Sequence, residues 1–167
     1  MSSLEFVKVK SRNDINLVAA LAREIWTEYY TPIIGGAQVE YMLENFQSEA
    51  AIAKNLGEGY HYRYYILRLD GADVGYLAFT MENGGLFLSK IYIKKELRGS
   101  GLFAQTVDFL KGFCEKYDLF KIWLTVNRNN SGAIAAYESL GFKKEREQVT
   151  DIGGGFFMDD FVMIKNV

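Results

Sequence analysis

The sequence holds one cysteine, Cys114, and one histidine, His61, among 167 residues. A single thiol cannot close an internal disulfide, and a single imidazole leaves no His/Cys cluster for a structural zinc. An excess of one charge sign is also lacking: 19 basic and 21 acidic side chains leave a net charge of −2. The two signs are interspersed, so nothing steers the chain onto DNA, RNA or an anionic membrane surface. No apolar run approaches the ~18 residues of a membrane span, and the opening MSSLEFVKVK lacks the hydrophobic core of a signal peptide. The expectation is a cytoplasmic protein with no metal, no nucleic-acid partner and no membrane partner. Proline occurs once, at Pro32. What the chain has in quantity is apolar surface: 49% hydrophobic and 15% aromatic residues, enough for one well-packed domain over residues 1–167.

Periodicity organises that surface around the stretch from Leu86 to Tyr117. Leu86–Ile93 reads as a strand, with Leu86, Leu88 and Tyr92 on one face and Phe87, Ile91 and Ile93 on the other. Both faces are apolar, as in a strand inside a covered sheet. The charged segment Lys94–Arg98 follows, then Gly99-Ser100-Gly101, then a helical stripe of Phe103, Val107, Leu110, Cys114 and Tyr117. Cys114 on that stripe reads as buried and structural. Glycines before a helix leave unpaired amides open to close approach at the positive end of the dipole, which is a cradle for an anion such as phosphate.

The rest of the chain supplies a frame. Phe6–Lys10 reads as a short first strand. Ser11 and Asp14 form a capping box before a helix bearing Ile15, Val18, Ala22, Ile25 and Trp26. Pro32 is expected to end that helix, with residues 29–36 as a loop. A second helix carries Val39, Met42, Leu43 and Phe46, and a third runs from Ser48 to Leu56. From Tyr60 the period changes to two. Tyr60–Leu69, Ala72–Met81 and Leu86–Ile93 read as strands joined by the hairpin signals Asp70-Gly71 and Asn83-Gly84. Phe120, Ile122, Leu124 and Val126 alternate as a strand parallel to Leu86–Ile93, since a helix crosses between them. A helix with Ala133, Ile134, Tyr137 and Leu140 inward follows the polar segment 127–131. Lys143–Thr150 and Phe156–Lys165 form a last pair around Gly153–Gly155.

The two strand–turn–helix units open a crevice at the strands' carboxyl ends, where ligands bind in such sheets. No Gly-Lys-Ser/Thr follows the glycines, so a nucleotide P-loop is excluded. The residues around the crevice, LSKIYIKKELRGSGLF and VNRNNSGAIAAYESLGF, resemble the acetyl-CoA-binding core of the GNAT N-acetyltransferases. Arg98-Gly99-Ser100-Gly101-Leu102-Phe103 fills the family's Q/R-x-x-G-x-G/A signature up to its last place. Phe103 stands where the family has a small residue. Asn130, Ala133, Tyr137, Gly141 and Phe142 meet the second signature.

The resemblance implies a mixed α/β fold. Its central sheet would have about six to seven strands, with an antiparallel N-terminal part, a parallel pair at the acetyl-CoA crevice and helices on both faces. It implies an N-acetyltransferase that moves acetyl from acetyl-CoA to a primary amine by direct attack. The C-terminal run FFMDDFVMIK and the early aromatic loop resemble the branch that acetylates polyamines and other small amines. Two other readings stand beside it: a non-catalytic acyl-CoA-binding module, and an acetyltransferase of protein amines.

By the same resemblance, amides of Arg98, Gly99, Ser100, Gly101, Leu102, Phe103 and Ala104 hold the pyrophosphate. Main chain at Ile91, Tyr92 and Ile93 pairs with the pantetheine arm, and Asn130 and Ala133 lie along it. Tyr137 protonates the departing thiolate. Asn130 also reads as a plain helix cap, and Tyr137 as a packed ring. An acidic, aromatic lip of Glu28, Tyr29, Asp159 and Asp160 would suit a polycation, and Glu28, Tyr29, Ser89 and Asp159 are the expected substrate-binding residues. For the general base, Ser89 and Lys90 stand where many relatives carry a glutamate. Glu28, Tyr29, His61, Glu82, Asp159, Asp160 and a water chain all remain candidates. The expected assembly is a monomer or a homodimer.

Overall fold

A computed structural model describes residues 3–167. In chain order its elements are β1 (Leu4–Lys8), α1 (Arg12–Ile34), α2 (Gly36–Phe46), α3 (Glu49–Leu56), β2 (Arg63–Leu69), β3 (Ala72–Glu82), β4 (Gly85–Ile93), α4 (Leu102–Lys116), β5 (Lys121–Asn127), α5 (Ser131–Ser139), β6 (Lys143–Gly153) and β7 (Phe156–Asn166). The seven strands form one mixed sheet in the order β1-β2-β3-β4-β5-β7-β6. β4 and β5 are parallel, and their ladder pairs Gly85–Phe87 with Lys121–Trp123. β1–β2, β2–β3, β5–β7 and β6–β7 are antiparallel. Both hairpin signals are realised with left-handed residues: Asp70 and Gly71 at φ 50° and 86°, Asn83 and Gly84 at 52° and 75°. That is the conformation that matches the twist of the flanking strands.

The chain divides into two compact units, one of residues up to Thr80 with Lys90–Arg98, the other of Met81–Ser89 with Gly99–Val167. In the first, Val18, Ala22, Ile25 and Trp26 of α1, Val39 and Leu43 of α2, Ile52 of α3 and Ile66 of β2 are buried. The buried hydroxyls in this core are satisfied. Tyr76 donates to Gln47 Oε1 at 2.9 Å, and Asn55 Nδ2 donates to Tyr64 Oη at 2.9 Å. In the second, Leu102, Val107, Leu110 and Cys114 of α4 are buried, as are Ile122, Leu124 and Val126 of β5, Ile134 of α5, and Val162 and Met163 of β7. Each fully buried aliphatic side chain contributes about 1.5–3 kcal/mol. β6 is exposed along nearly its whole length.

The structure departs from the periodicity at several ends. α1 does not stop at Pro32 but carries the proline inside and ends at Gly35, whose amide donates to Thr31 O at 2.9 Å. The turn survives because Tyr30 is stacked on Trp26 with centroids 4.3 Å apart and meets Tyr92 edge-on, so packing outweighs the lost amide. β1 covers Leu4–Lys8 and not Phe6–Lys10, because the Lys10 amide donates to the capping-box carboxylate of Asp14 at 3.0 Å. β2 begins at Arg63 and not at Tyr60, whose amide turns back to Gly57 O. On α4 the buried stripe starts at Leu102. Phe103 is half-buried, and Tyr117 lies past the helix end at 42% exposure. Phe120 stays outside β5, its amide on Gly84 O at 2.9 Å and its ring exposed.

Candidate functional site

In the first unit the end of β4 is held from both sides. Ile91 and Ile93 are buried, and the Tyr92 ring lies 5.1 Å from Trp26 and 5.4 Å from Tyr76. Gly75 of β3 passes so close that a Cβ there would stand 2.4 Å from the Tyr92 carbonyl oxygen. Arg98 is not a solvated turn arginine. Its Nε donates to Ile93 O at 3.1 Å, its Nη1 pairs with Glu28 Oε1 at 3.2 Å, and the guanidinium lies 4.2 Å over the Tyr29 ring. Burial raises the Tyr29 hydroxyl's pKa, against the opposing pull of Arg98. Glu28 and Tyr29 are thus already engaged.

Lys90 is the unexpected residue of this strand. It is only 8% exposed, and its ammonium sits 5.6 Å and 5.8 Å from the ring centroids of Tyr62 and Tyr64. Burial lowers its pKa to about 8. The alternation of β4 contained the signal, since Lys90 falls on the face of Leu86, Leu88 and Tyr92.

In the second unit the glycine turn leads into α4. Gly99 and Gly101 are left-handed at φ 80° and 85°, and a Cβ at either would meet nothing within 4 Å. The glycines are therefore demanded by backbone conformation, and the space over them is open. No side chain caps α4, and the first intrahelical amide is that of Gln105, donating to Gly101 O at 3.2 Å. The amides of Leu102, Phe103 and Ala104 belong to the helix's unpaired first turn. The Phe103 ring meets Tyr137 edge-on, centroids 5.5 Å apart, and Tyr137 meets Phe142 at 5.6 Å. Tyr137, 6% exposed, is thereby tied to the first turn of α4. Asn130 is buried and caps α5, its Oδ1 accepting from Ala133 N at 3.3 Å. Ser89 is half-buried on β4.

Asp159 and Asp160 behave oppositely. Asp159 Oδ1 lies 2.9 Å from Arg128 Nε, a charge pair too bent for a well-formed hydrogen bond, and Arg128 also holds Glu147 at 2.8 Å. Asp160 is 5% exposed, and its Oδ1 has no hydrogen-bond partner among the described residues. His61 and Glu82 are exposed. The Cys114 thiol is buried and its pKa raised by desolvation, which makes it a poor nucleophile. Among the described residues no group of His, Cys, Asp and Glu could hold a metal ion, and no helix is long and apolar enough to cross a membrane.

Residues 19–142 match the model of the Acetyltransferase (GNAT) family. The chain belongs to this family. With that membership it is an acetyl-CoA-dependent N-acetyltransferase by class. It is 24% identical over 161 residues to an uncharacterized N-acetyltransferase in the pepI 3' region of Lactobacillus delbrueckii subsp. lactis, covering 92% of each chain. Among solved structures it shares the fold of the PaiA N-acetyltransferase of Thermoplasma acidophilum in complex with coenzyme A, at 21% identity, 99% coverage of both chains and a TM-score of 0.81. It also shares the fold of the ribosomal-protein-S18-alanine N-acetyltransferase of Escherichia coli, at 20% identity, 100% and 94% coverage and a TM-score of 0.71. For a GNAT chain, the burial of Lys90 and of the candidate base Asp160, and the Arg98–Glu28–Tyr29 cluster, are what the sequence reading missed. The last joins residues 70 positions apart, and no local pattern signals it.

Proposed function

We propose that this acetyltransferase moves the acetyl group of acetyl-CoA to the primary amine of a small molecule by direct attack. The observation that carries the reading is the turn of two left-handed glycines opening onto the uncapped end of α4, with Tyr137 joined through Phe103 to that same first turn. Such a helix end suits a pyrophosphate, because unpaired amides and the helix dipole act together. We assign the pyrophosphate to the amides of residues 98–104. The pantetheine arm goes to main chain at Ile91, Tyr92 and Ile93, where the Ile93 carbonyl already accepts one bond from Arg98. Asn130 and Ala133 line the arm. The bulk of Phe103, turned onto Tyr137, does not remove its backbone amide.

Bound acetyl-CoA supplies an activated thioester carbonyl. Tyr137 donates a proton to the sulfur as it leaves. A free tyrosine near ~10 and a thiol near ~8.5 leave that transfer about 2 kcal/mol uphill in water, a gap that desolvation of the thiolate narrows. Cys114 forms no acyl intermediate. Glu28, Tyr29, Ser89 and Asp159 are assigned to the amine's surroundings. Glu28 and Asp159 each already hold an arginine. That weakens their pull on a polycation, so the reading stays with small primary amines as a class, polyamines among them.

A panel of amines with acetyl-CoA, followed by thiol release, tests this. Turnover is expected with at least one small amine, and Tyr137→Phe should lower kcat by at least about tenfold while apparent acetyl-CoA affinity changes little. Thiol release from no amine defeats the transferase reading. A folded, fully active Tyr137→Phe defeats the role of the hydroxyl alone.

A further inference from the structure

An alkyl ammonium must shed a proton before its nitrogen can attack, at a cost of about 4.6 kcal/mol at neutral pH, so the identity of the base matters. Of the carboxylates considered, Glu28 and Asp159 are engaged by arginines and Glu82 is solvent-exposed. Asp160 differs in every respect. It sits on β7 directly opposite Asn127, the last residue of β5, and opposite Gln148 of β6. Asn127 is also the start of the turn that delivers Asn130, whose amide donates to Asn127 O at 2.9 Å, and then α5 with Tyr137. Strand alternation turns Asp159 and Phe161 to the face where Arg128 lies, and Asp160 to the other. Its two cross-strand neighbours are amides, not charges.

We propose that Asp160 is the general base of the acetyl transfer reaction, taking the proton that the acceptor nitrogen sheds as it attacks the thioester carbonyl. This rests on the transferase reading above. The carboxylate is buried yet has an oxygen with no partner among the described residues, which is costly unless that lone pair has a use. Burial first, and the neighbouring Asp159 carboxylate second, push it up to about 6. It is therefore ionised at neutral pH but more basic than a solvated carboxylate. Among the described residues, the other charges near it include Arg146, two residues along β6 from Gln148 and paired with Glu145, and the Arg128–Glu147 pair and Lys144 on the opposite face, where Phe161 lies.

The step balances. Of two protons lost by R–NH3+, one passes to Asp160 and on to solvent. The nitrogen lone pair forms the C–N bond, the C–S pair leaves with sulfur, and sulfur takes the Tyr137 proton. The second nitrogen proton restores Tyr137.

The test compares wild type with Asp160→Asn. For wild type, kcat/KM for a small primary amine should fall about tenfold per unit as pH drops below about 6. Asp160→Asn should lose about 100-fold or more at pH 7, and the deficit should shrink as pH approaches the amine's own pKa of ~10.4. Its thermal shift with coenzyme A should match wild type. Without any ligand, Asp160→Asn should unfold at a higher temperature than wild type at pH 8, the gap narrowing as pH falls from about 6 toward 3.8 and the wild-type carboxyl protonates. Activity within threefold of wild type at pH 7, or a wild-type profile flat between pH 5 and 7, overturns the proposal alone. Absence of turnover by wild type with every amine overturns the transferase reading and this with it. If Asp160→Asn does not fold, Asp160→Glu carries the test: it should keep activity with a displaced acid limb, and an unmoved limb overturns the assignment.

Discussion

Lys90 illustrates how much one buried charge can matter. Its ammonium rests between two tyrosine rings, a cation–π arrangement that recovers about 0.5–2 kcal/mol of a larger desolvation cost. Because its pKa falls from 10.5 to about 8 on folding, the sign of its pH effect follows directly. Below pH 8 both states hold the proton and the penalty is constant. Between about 8 and 10.5 the unfolded chain binds more protons, so stability rises with pH. The shift corresponds to about 3 kcal/mol before the ring contacts are counted. Lys90→Met keeps the volume and removes the charge. Urea unfolding should show it more stable than wild type by about 1–3 kcal/mol at pH 7, the advantage shrinking toward pH 10. An unchanged pH dependence would mean that the lysine titrates as a solvated one.

At the scale of elements, β4 depends on how closely β3 can approach it. Gly75 has an ordinary backbone conformation, so its glycine answers a contact and not a dihedral angle. An added methyl would stand 2.4 Å from the Tyr92 oxygen and 3.2 Å from the Ile93 Cα, both backbone atoms that cannot swing aside. Gly75→Ala should lower stability by about 2 kcal/mol or more in chemical denaturation, where an exposed strand glycine would gain from the same change. The hairpins flanking these strands were legible because two adjacent residues decide a turn: Asp70-Gly71 and Asn83-Gly84 take the left-handed pair that their dipeptides announce. The capping box of Ser11 and Asp14 was legible for the same reason. The parallel β4–β5 pair followed from the helix between them. What could not be read locally depended on distant partners. Tyr30 needs Trp26 and Tyr92 to carry α1 through Pro32, Arg98 needs Glu28 and Tyr29, and Phe103 needs Tyr137. In the sequence Asp160 is one residue of an acidic lip and one candidate base among several, with nothing local to set it apart from Asp159. Only the ladder with β5 and β6 makes it a buried one.

For the molecule as a whole, coenzyme A should act as a stabiliser, since a ligand specific to the folded state shifts unfolding by mass action. At 100 times its dissociation constant the gain is about 2.7 kcal/mol, visible as a rise in melting temperature. Gly101→Val should lose that rise. Its left-handed backbone also strains any β-branched residue, so the informative quantity is the ligand-induced shift and not the starting temperature. A wild-type protein whose melting temperature ignores saturating coenzyme A would contradict the assignment of the glycine turn.

The exposed strand β6 has a consequence for how copies of this chain meet. It ends the seven-strand order, and its outer residues read Lys143-Lys144-Glu145-Arg146-Glu147, nearly all in solvent. Another copy adding itself there in strand fashion would have to desolvate that run of charges against whatever it brought. The sheet is thereby insulated on this margin, much as a fabric is hemmed, and concentrated protein is protected there from joining edge to edge into fibres. Strand pairing of copies along the Lys143–Glu147 stretch is disfavoured by those charges.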